Sequence, residues 1–195
     1  MTPAFSICVY CGSRPGADPL FADVARETGH WIGTHGGQLV YGGGNNGLMG
    51  MVADATLAAG GRVVGIIPKA LVEKEWAKLD CTELHVVDTM HDRKRMMAER
   101  ADAFLALPGG IGTFEELFEV LSWRTLGLHT KPIVIVDSGG YWEPLAVLLR
   151  SIVERGFAEA THLDHLAFIR DLDQLLPTIA AMPRQVGLQK PLDRV

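Results

Sequence analysis

A short apolar run, Ala103-Phe104-Leu105-Ala106-Leu107, feeds into Pro108-Gly109-Gly110-Ile111-Gly112 and then into a helical pattern ending near Trp123. An apolar run of this length, closed by a glycine turn, reads as a buried parallel strand. Phe114, Leu117, Phe118 and Leu121 fall on one face of the helix that follows. Thr113 with Glu116 three residues later has the spacing of a capping box, with Thr113 as N-cap. A glycine turn entering a helix leaves backbone N–H groups unpaired at the positive end of the helix dipole, a place to hold a phosphate. Glu116, one turn inside, sets a carboxylate beside whatever carries that phosphate. The same residues also fit a plain tight turn in which Glu116 only completes the cap.

Strands alternate with helices along the chain, without low-complexity linkers or obvious repeats. Strands are predicted at 5–10, 38–41, 62–67, 84–87, 103–107, 132–137 and 166–169. Between them lie helical patterns from Pro19 to the Gly36-Gly37 stop, from the Ala-rich segment to Ala59, over Met90–Ala101, over Tyr141–Glu154 and over Leu172–Ala181. Such alternation predicts one α/β domain over 1–183, a Rossmann-like, doubly wound parallel sheet with helices on both faces, followed by a tail over 184–195. The length of 195 residues suits one domain. Ligands of such sheets bind beyond the carboxyl ends of the strands. The glycine-rich loops after the first, second and fifth strands all fall at that edge.

Composition narrows the partners. A net charge of −5 argues against nucleic acid, which would demand a basic face. No apolar run approaches the roughly 20 residues of a membrane span, and no basic segment precedes an apolar core at the N-terminus, so neither membrane nor secretory signal is expected. Three cysteines do not make a disulfide framework, which points to the cytoplasm. Cys8 and Cys11 spell C-x-x-C along a strand, where they point to opposite faces, and are expected to be inert buried thiols. His162 and His165 lack companion ligands; surface histidines and no metal site are expected.

The loops differ in what they allow. Gly42 to Gly47, GGGNNG, matches G-x-G-x-x-G, but the next strand ends in Gly65-Ile66-Ile67-Pro68 without the acid that would hold a dinucleotide ribose. That leaves close packing, or contact with a phosphate or ribose through bare backbone at Gly43 and Gly44. There is no G-K-[ST], which excludes a P-loop. Cys11 to Gly16, CGSRPG, is either a strand-ending turn or a nucleoside contact through Gly12 and Ser13. Arg93 and Lys94 sit on a charged helix, where a solvated face is the alternative to a role at a site.

Taken together, PGGIGTFEE, GGGNNGLMG and DRK resemble the LOG family of cytokinin riboside 5′-monophosphate phosphoribohydrolases, whose relatives were often labelled lysine decarboxylases. The motif PGGxGTxxE is met by Pro108, Gly109, Gly110, Gly112, Thr113 and Glu116, and the similarity runs to about Gly156. The resemblance implies Arg93 and Glu116 as the catalytic pair and Lys94 beside the substrate. It implies that Gly110, Ile111, Gly112, Thr113, Phe114, Glu115 and Glu116 hold the phosphate and ribose. It also places Glu75 as a substrate contact and Ser122 on the pocket wall. A homodimer with sites near the interface is implied as well. Asn46 beside Asn45, and Arg14 in the first loop, depart from the usual pattern and could change what the pocket accepts.

The implied reaction cleaves the N-glycosidic bond of an adenosine 5′-monophosphate, N6-modified or plain, without metal or organic cofactor. A purine-salvage enzyme acting on AMP and a non-catalytic nucleotide-binding module are the alternatives. Decarboxylation would need a lysine-bound pyridoxal phosphate and its pocket, and neither is legible in the sequence.

Overall fold

Residues 2–72 and 77–183 are described in the computed structural model. Seven strands, β1 (Ser6–Tyr10), β2 (Gln38–Tyr41), β3 (Arg62–Pro68), β4 (Glu83–Val87), β5 (Ala103–Ala106), β6 (Ile133–Val136) and β7 (Leu166–Ile169), pair in the order β4-β3-β2-β1-β5-β6-β7. Every pairing is parallel. Between them run α1 (Pro19–Thr34), α2 (Gly47–Ala58), α3 (Lys69–Val72), α4 (Met90–Glu99), α5 (Ile111–Thr125) and α6 (Glu143–Glu154), with α7 (Leu175–Ala181) closing the domain.

The period-two alternation of the strands divides the core. Along β1, Ile7 and Val9 join one apolar cluster, with Val24 and Ile32 of α1, Val52 of α2 and Leu175 of α7. Cys8 and Tyr10 join the other, with Met97 of α4, Leu117 and Val120 of α5 and Leu145 of α6. Successive side chains point to opposite sheet faces, so buried apolar residues at every position from Ile7 to Tyr10 require helices on both sides. The doubly wound sheet expected from the sequence is what forms.

Differences are local. Lys69–Val72 forms a short helix where only a mixed segment was expected, and Leu172–Gln174 is a 3-10 turn ahead of α7. His165 is buried rather than superficial, against the expectation for that pair of histidines. Glu75 and the expected tail, 184–195, lie outside the described residues.

The strand order fixes where a ligand can go. From β1 the chain winds outward through β2, β3 and β4, then returns to lay β5 on the other side of β1. The loops leaving β1 and β5 therefore diverge at the carboxyl edge, and a crevice opens between them.

Candidate active-site cleft

The β1 loop ties the crevice together. Gly12 N–H donates to Pro108 O at 3.1 Å, continuing the β1–β5 ladder past the ends of both strands. Gly12 O accepts from Leu48 N–H at 3.0 Å and Met49 N–H at 3.4 Å, in the first turn of α2. The positive end of α2 is thus directed at the protein's own backbone. Gly43 and Gly44, expected as ligand contacts, serve the segment after α3: Gly43 O accepts from Lys78 N–H at 3.0 Å, and Gly44 bridges to Ala77. Neither lines the crevice.

The start of α5 is different. Its N-cap is Gly110, with no side-chain cap, and Phe114 N–H donates to Gly110 O at 3.2 Å. The expected capping box at Thr113 does not form. The helix starts earlier, and Thr113 is buried in its first turn, packed so tightly on Gly109 that a Cβ there would lie 2.1 Å from Thr113 Oγ1. The remaining N–H groups of the first turn cannot be satisfied within the helix. They belong to Ile111, Gly112 and Thr113, all of which line a cleft of about 700 Å³. The Tyr141 hydroxyl donates to Gly109 O, holding the turn from the α6 side.

Arg93 and Glu116 line the same cleft. Arg93, on α4, is buried, and its Nη2 donates to Gly42 O at 3.0 Å. A Cβ at Gly42 would fall 1.9 Å from that nitrogen. The glycine run after β2 is therefore also a seat for Arg93, a use the dinucleotide fingerprint did not suggest. Glu116 is half-buried, one turn into α5. Its carboxylate acts on Cys11 in the cleft floor: burial first, then the negative charge of Glu116, pushes that thiol far above its ordinary range. Burial and Glu116 act the same way on Cys8. Both cysteines are neutral thiols, as expected, and neither has the thiolate character of a nucleophile.

Lys94 does not line the cleft. Its ammonium lies 2.6 Å from Glu115 Oε1 and 2.9 Å from Glu119 Oε1, and so joins α4 to α5. Burial alone would lower its pKa, but the two carboxylates outweigh this and hold it above the ordinary lysine value. Gly12, Ser13, Gly110, Ile111, Gly112, Thr113, Glu115 and Glu116 are brought together with Arg93; Phe114 and Ser122 are not. Phe114 packs on Trp142 with ring centroids 5.0 Å apart, and Ser122 is exposed farther along α5. Phe21, Leu48, Met49, Leu71, Met90 and Tyr141 add an apolar wall that sequence reasoning did not assign. They come from five separate segments, and no local pattern in the sequence joins them.

Sheet order and cleft position define a Rossmann-like α/β protein whose site lies where the strand order reverses. A family model described as "Possible lysine decarboxylase" matches residues 49–179. The cytokinin riboside 5′-monophosphate phosphoribohydrolase of Rhodococcoides fascians is 42% identical over 175 residues, 89% of this chain and 88% of that protein. One from Arabidopsis thaliana is 44% identical over 155 residues, 80% of this chain and 73% of that protein. Among solved structures, the molybdenum cofactor binding protein of Rippkaea orientalis superposes with a TM-score of 0.67 at 20% identity, covering 93% of this chain and 97% of that one. That last likeness shows the fold alone. The chain belongs to the LOG family.

Proposed function

We propose that this protein hydrolyses the N-glycosidic bond of adenosine 5′-monophosphates, N6-modified ones included, releasing the free base and ribose 5-phosphate. The observation that carries the reading is the meeting, in one cleft, of an uncapped helix start with a half-buried carboxylate one turn inside it. The first supplies N–H donors for a 5′-phosphate; the second lies where the sugar of that nucleotide would be. Relatives bearing the phosphoribohydrolase name at 42% and 44% identity support it.

The chemistry follows from charge. As the C1′–N9 bond lengthens, its electron pair leaves with the base and positive charge builds on the ribose ring, as in other glycosyl hydrolyses. The Glu116 carboxylate opposes that charge more strongly in the transition state than in the ground state, which is what lowers the barrier. A water attacks C1′; its oxygen becomes the ribose 1-hydroxyl, one proton passing to Glu116 and ultimately to the departing base. The start of α5 and Thr113 fix the phosphate end, so the sugar is held against the carboxylate. Arg93, seated on Gly42 O, orients the ribose and Glu116. Lys94 acts from behind, holding α4 and α5 in register.

A homodimer in the cytoplasm belongs to the same reading. Ile111, 90% exposed at the cleft mouth, and Leu126, 73% exposed at the far end of α5, offer apolar surface that a second copy would cover. The cysteines are free thiols, which suits a reducing compartment. Among the described residues no helix is long and apolar enough to cross a membrane. Decarboxylation fits poorly: no lysine among the described residues lines the cleft, so none is placed to carry pyridoxal phosphate.

The test is chromatographic. The protein is incubated with AMP and with isopentenyladenosine monophosphate, beside Glu116→Gln. Free base from wild type and a loss of about a hundredfold or more in the variant is expected. Equal release by both would remove Glu116 from its role. Bound nucleotide with no base released would leave a binding module.

A further inference from the structure

We infer that Arg14 is the specificity-determining residue that selects phosphorylated over unphosphorylated substrate, by pairing with the 5′-phosphate held at the start of α5. The inference rests on the proposed function and deepens it.

Three observations carry it. First, the loop bearing Arg14 is fixed from two sides. Gly47 has φ +57°, and a Cβ on it would lie 2.4 Å from Arg14 N, so the loop lies directly on the start of α2. A Cβ on Gly12 would fall 2.9 Å from Arg14 O and 3.3 Å from Gly109 Cα, which sets the backbone of Arg14 beside the turn that opens α5. Second, Arg14 is exposed and lines the cleft, together with Ile111, Gly112 and Thr113. Third, the other cations of the region are engaged: Lys94 with Glu115 and Glu119, and Arg93 with Gly42 O. Among the described residues the Arg14 guanidinium makes no ion pair.

Backbone N–H groups alone accept many anions. A guanidinium adds two parallel donors and a full charge, matched to two phosphate oxygens. The partner is the dianion, since the second ionisation of a phosphate monoester lies near pH 6. A neutral nucleoside would leave Arg14 with nothing to hold. Phe21, Leu48 and Met49 line the same cleft and offer apolar surface to an adenine ring, which does not call for a cation.

The test compares wild type with Arg14→Gln and Arg14→Lys, using AMP turnover and, independently of turnover, calorimetric binding of ribose 5-phosphate and of adenine. For Arg14→Gln the expected result is KM for AMP raised about tenfold or more, with kcat falling far less, and a similar loss for ribose 5-phosphate. Adenine binding should not change, and Arg14→Lys should recover part of the loss. In wild type, ribose 5-phosphate affinity should rise between pH 5 and 7, and this rise should shrink in Arg14→Gln. Unchanged affinity for ribose 5-phosphate in the variant would overturn the inference and leave the proposed function standing. Weakened adenine binding instead would overturn it in favour of stacking on the base. Wild type that binds neither AMP nor ribose 5-phosphate would overturn both together.

Discussion

The Lys94 ammonium, itself buried, lies 2.6 Å from the half-exposed Glu115 carboxylate and bridges the helix carrying Arg93 to the helix carrying Glu116. Neighbours in sequence have divided the work: Arg93 faces the cleft and Lys94 fixes the spacing behind it. Replacing Lys94 by Met should cost about 1–3 kcal/mol, less than a fully buried pair because Glu115 is half in water. It should also lower kcat/KM by misplacing the two helices. Denaturant unfolding and steady-state kinetics on the same samples check both. The sign of the pH effect follows from the raised pKa. The ammonium contributes fully below the unfolded lysine value of about 10.4 and is lost as pH rises through the higher folded value. The difference between wild type and Lys94→Met should therefore be flat through neutrality and narrow only in strong alkali.

Gly42→Ala isolates the seat of Arg93. The new methyl would meet the end of a flexible guanidinium, 1.9 Å away, rather than backbone. The side chain can move aside, so the fold should survive with a loss of about 1 kcal/mol or less, while kcat/KM falls about tenfold or more. A retained thermal midpoint with retained activity would show that the position of Arg93 is immaterial.

Gly47→Ala should fail in the opposite way. Here φ is +57° and the methyl would press on the backbone of Ser13 and Arg14 at 2.4 Å. Backbone cannot step aside, and the left-handed conformation adds its own cost. A loss of at least about 2 kcal/mol is expected, or roughly 5 °C or more in thermal midpoint for a chain of this size.

His129 should make the protein acid-sensitive. Its Nε2–H donates to Val120 O at 2.8 Å, and its Nδ1 accepts from Lys131 N–H at 3.1 Å, which fixes the neutral ring. Burial lowers its pKa to about 4. Protonation would set a new N–H against an N–H. Because the folded pKa lies below the unfolded value of about 6.5, its stabilising contribution is complete above that pH and is lost as pH falls toward 4. The loss reaches about 3 kcal/mol at most. Unfolding measured at pH 7 and pH 4.5 should show this slope in wild type and a shallower one in His129→Gln.

The cleft was partly legible in advance because its centre is local. Pro108 to Glu116 are contiguous, and a glycine turn, a helix start and an acid one turn later belong to one segment. The capping box was misjudged because Thr113 has the right spacing, yet its hydroxyl packs on Gly109 inside the first turn. GGGNNG was legible as a special turn, but its partners, Arg93 and Lys78, lie 51 and 35 positions from Gly42 and Gly43. Ser122 and Lys94 are on the expected helices; which way they face was set by the packing of α4 against α5.

Alternating apolar runs and glycine stops determined, from the sequence alone, a parallel sheet covered on both faces, because helix and strand periods are written in consecutive residues. The same local signals marked the start of α5 as a candidate place for a phosphate. Only the tertiary structure decided the strand order, and with it the crevice between the β1 and β5 loops. It also decided which helix start stays open to a ligand: α2 is closed by Gly12 O, whereas α5 opens into the cleft. Both helices follow glycine turns and look alike in one dimension. What separates them is a hydrogen bond between segments 36 residues apart, and sequence periodicity carries no information about that.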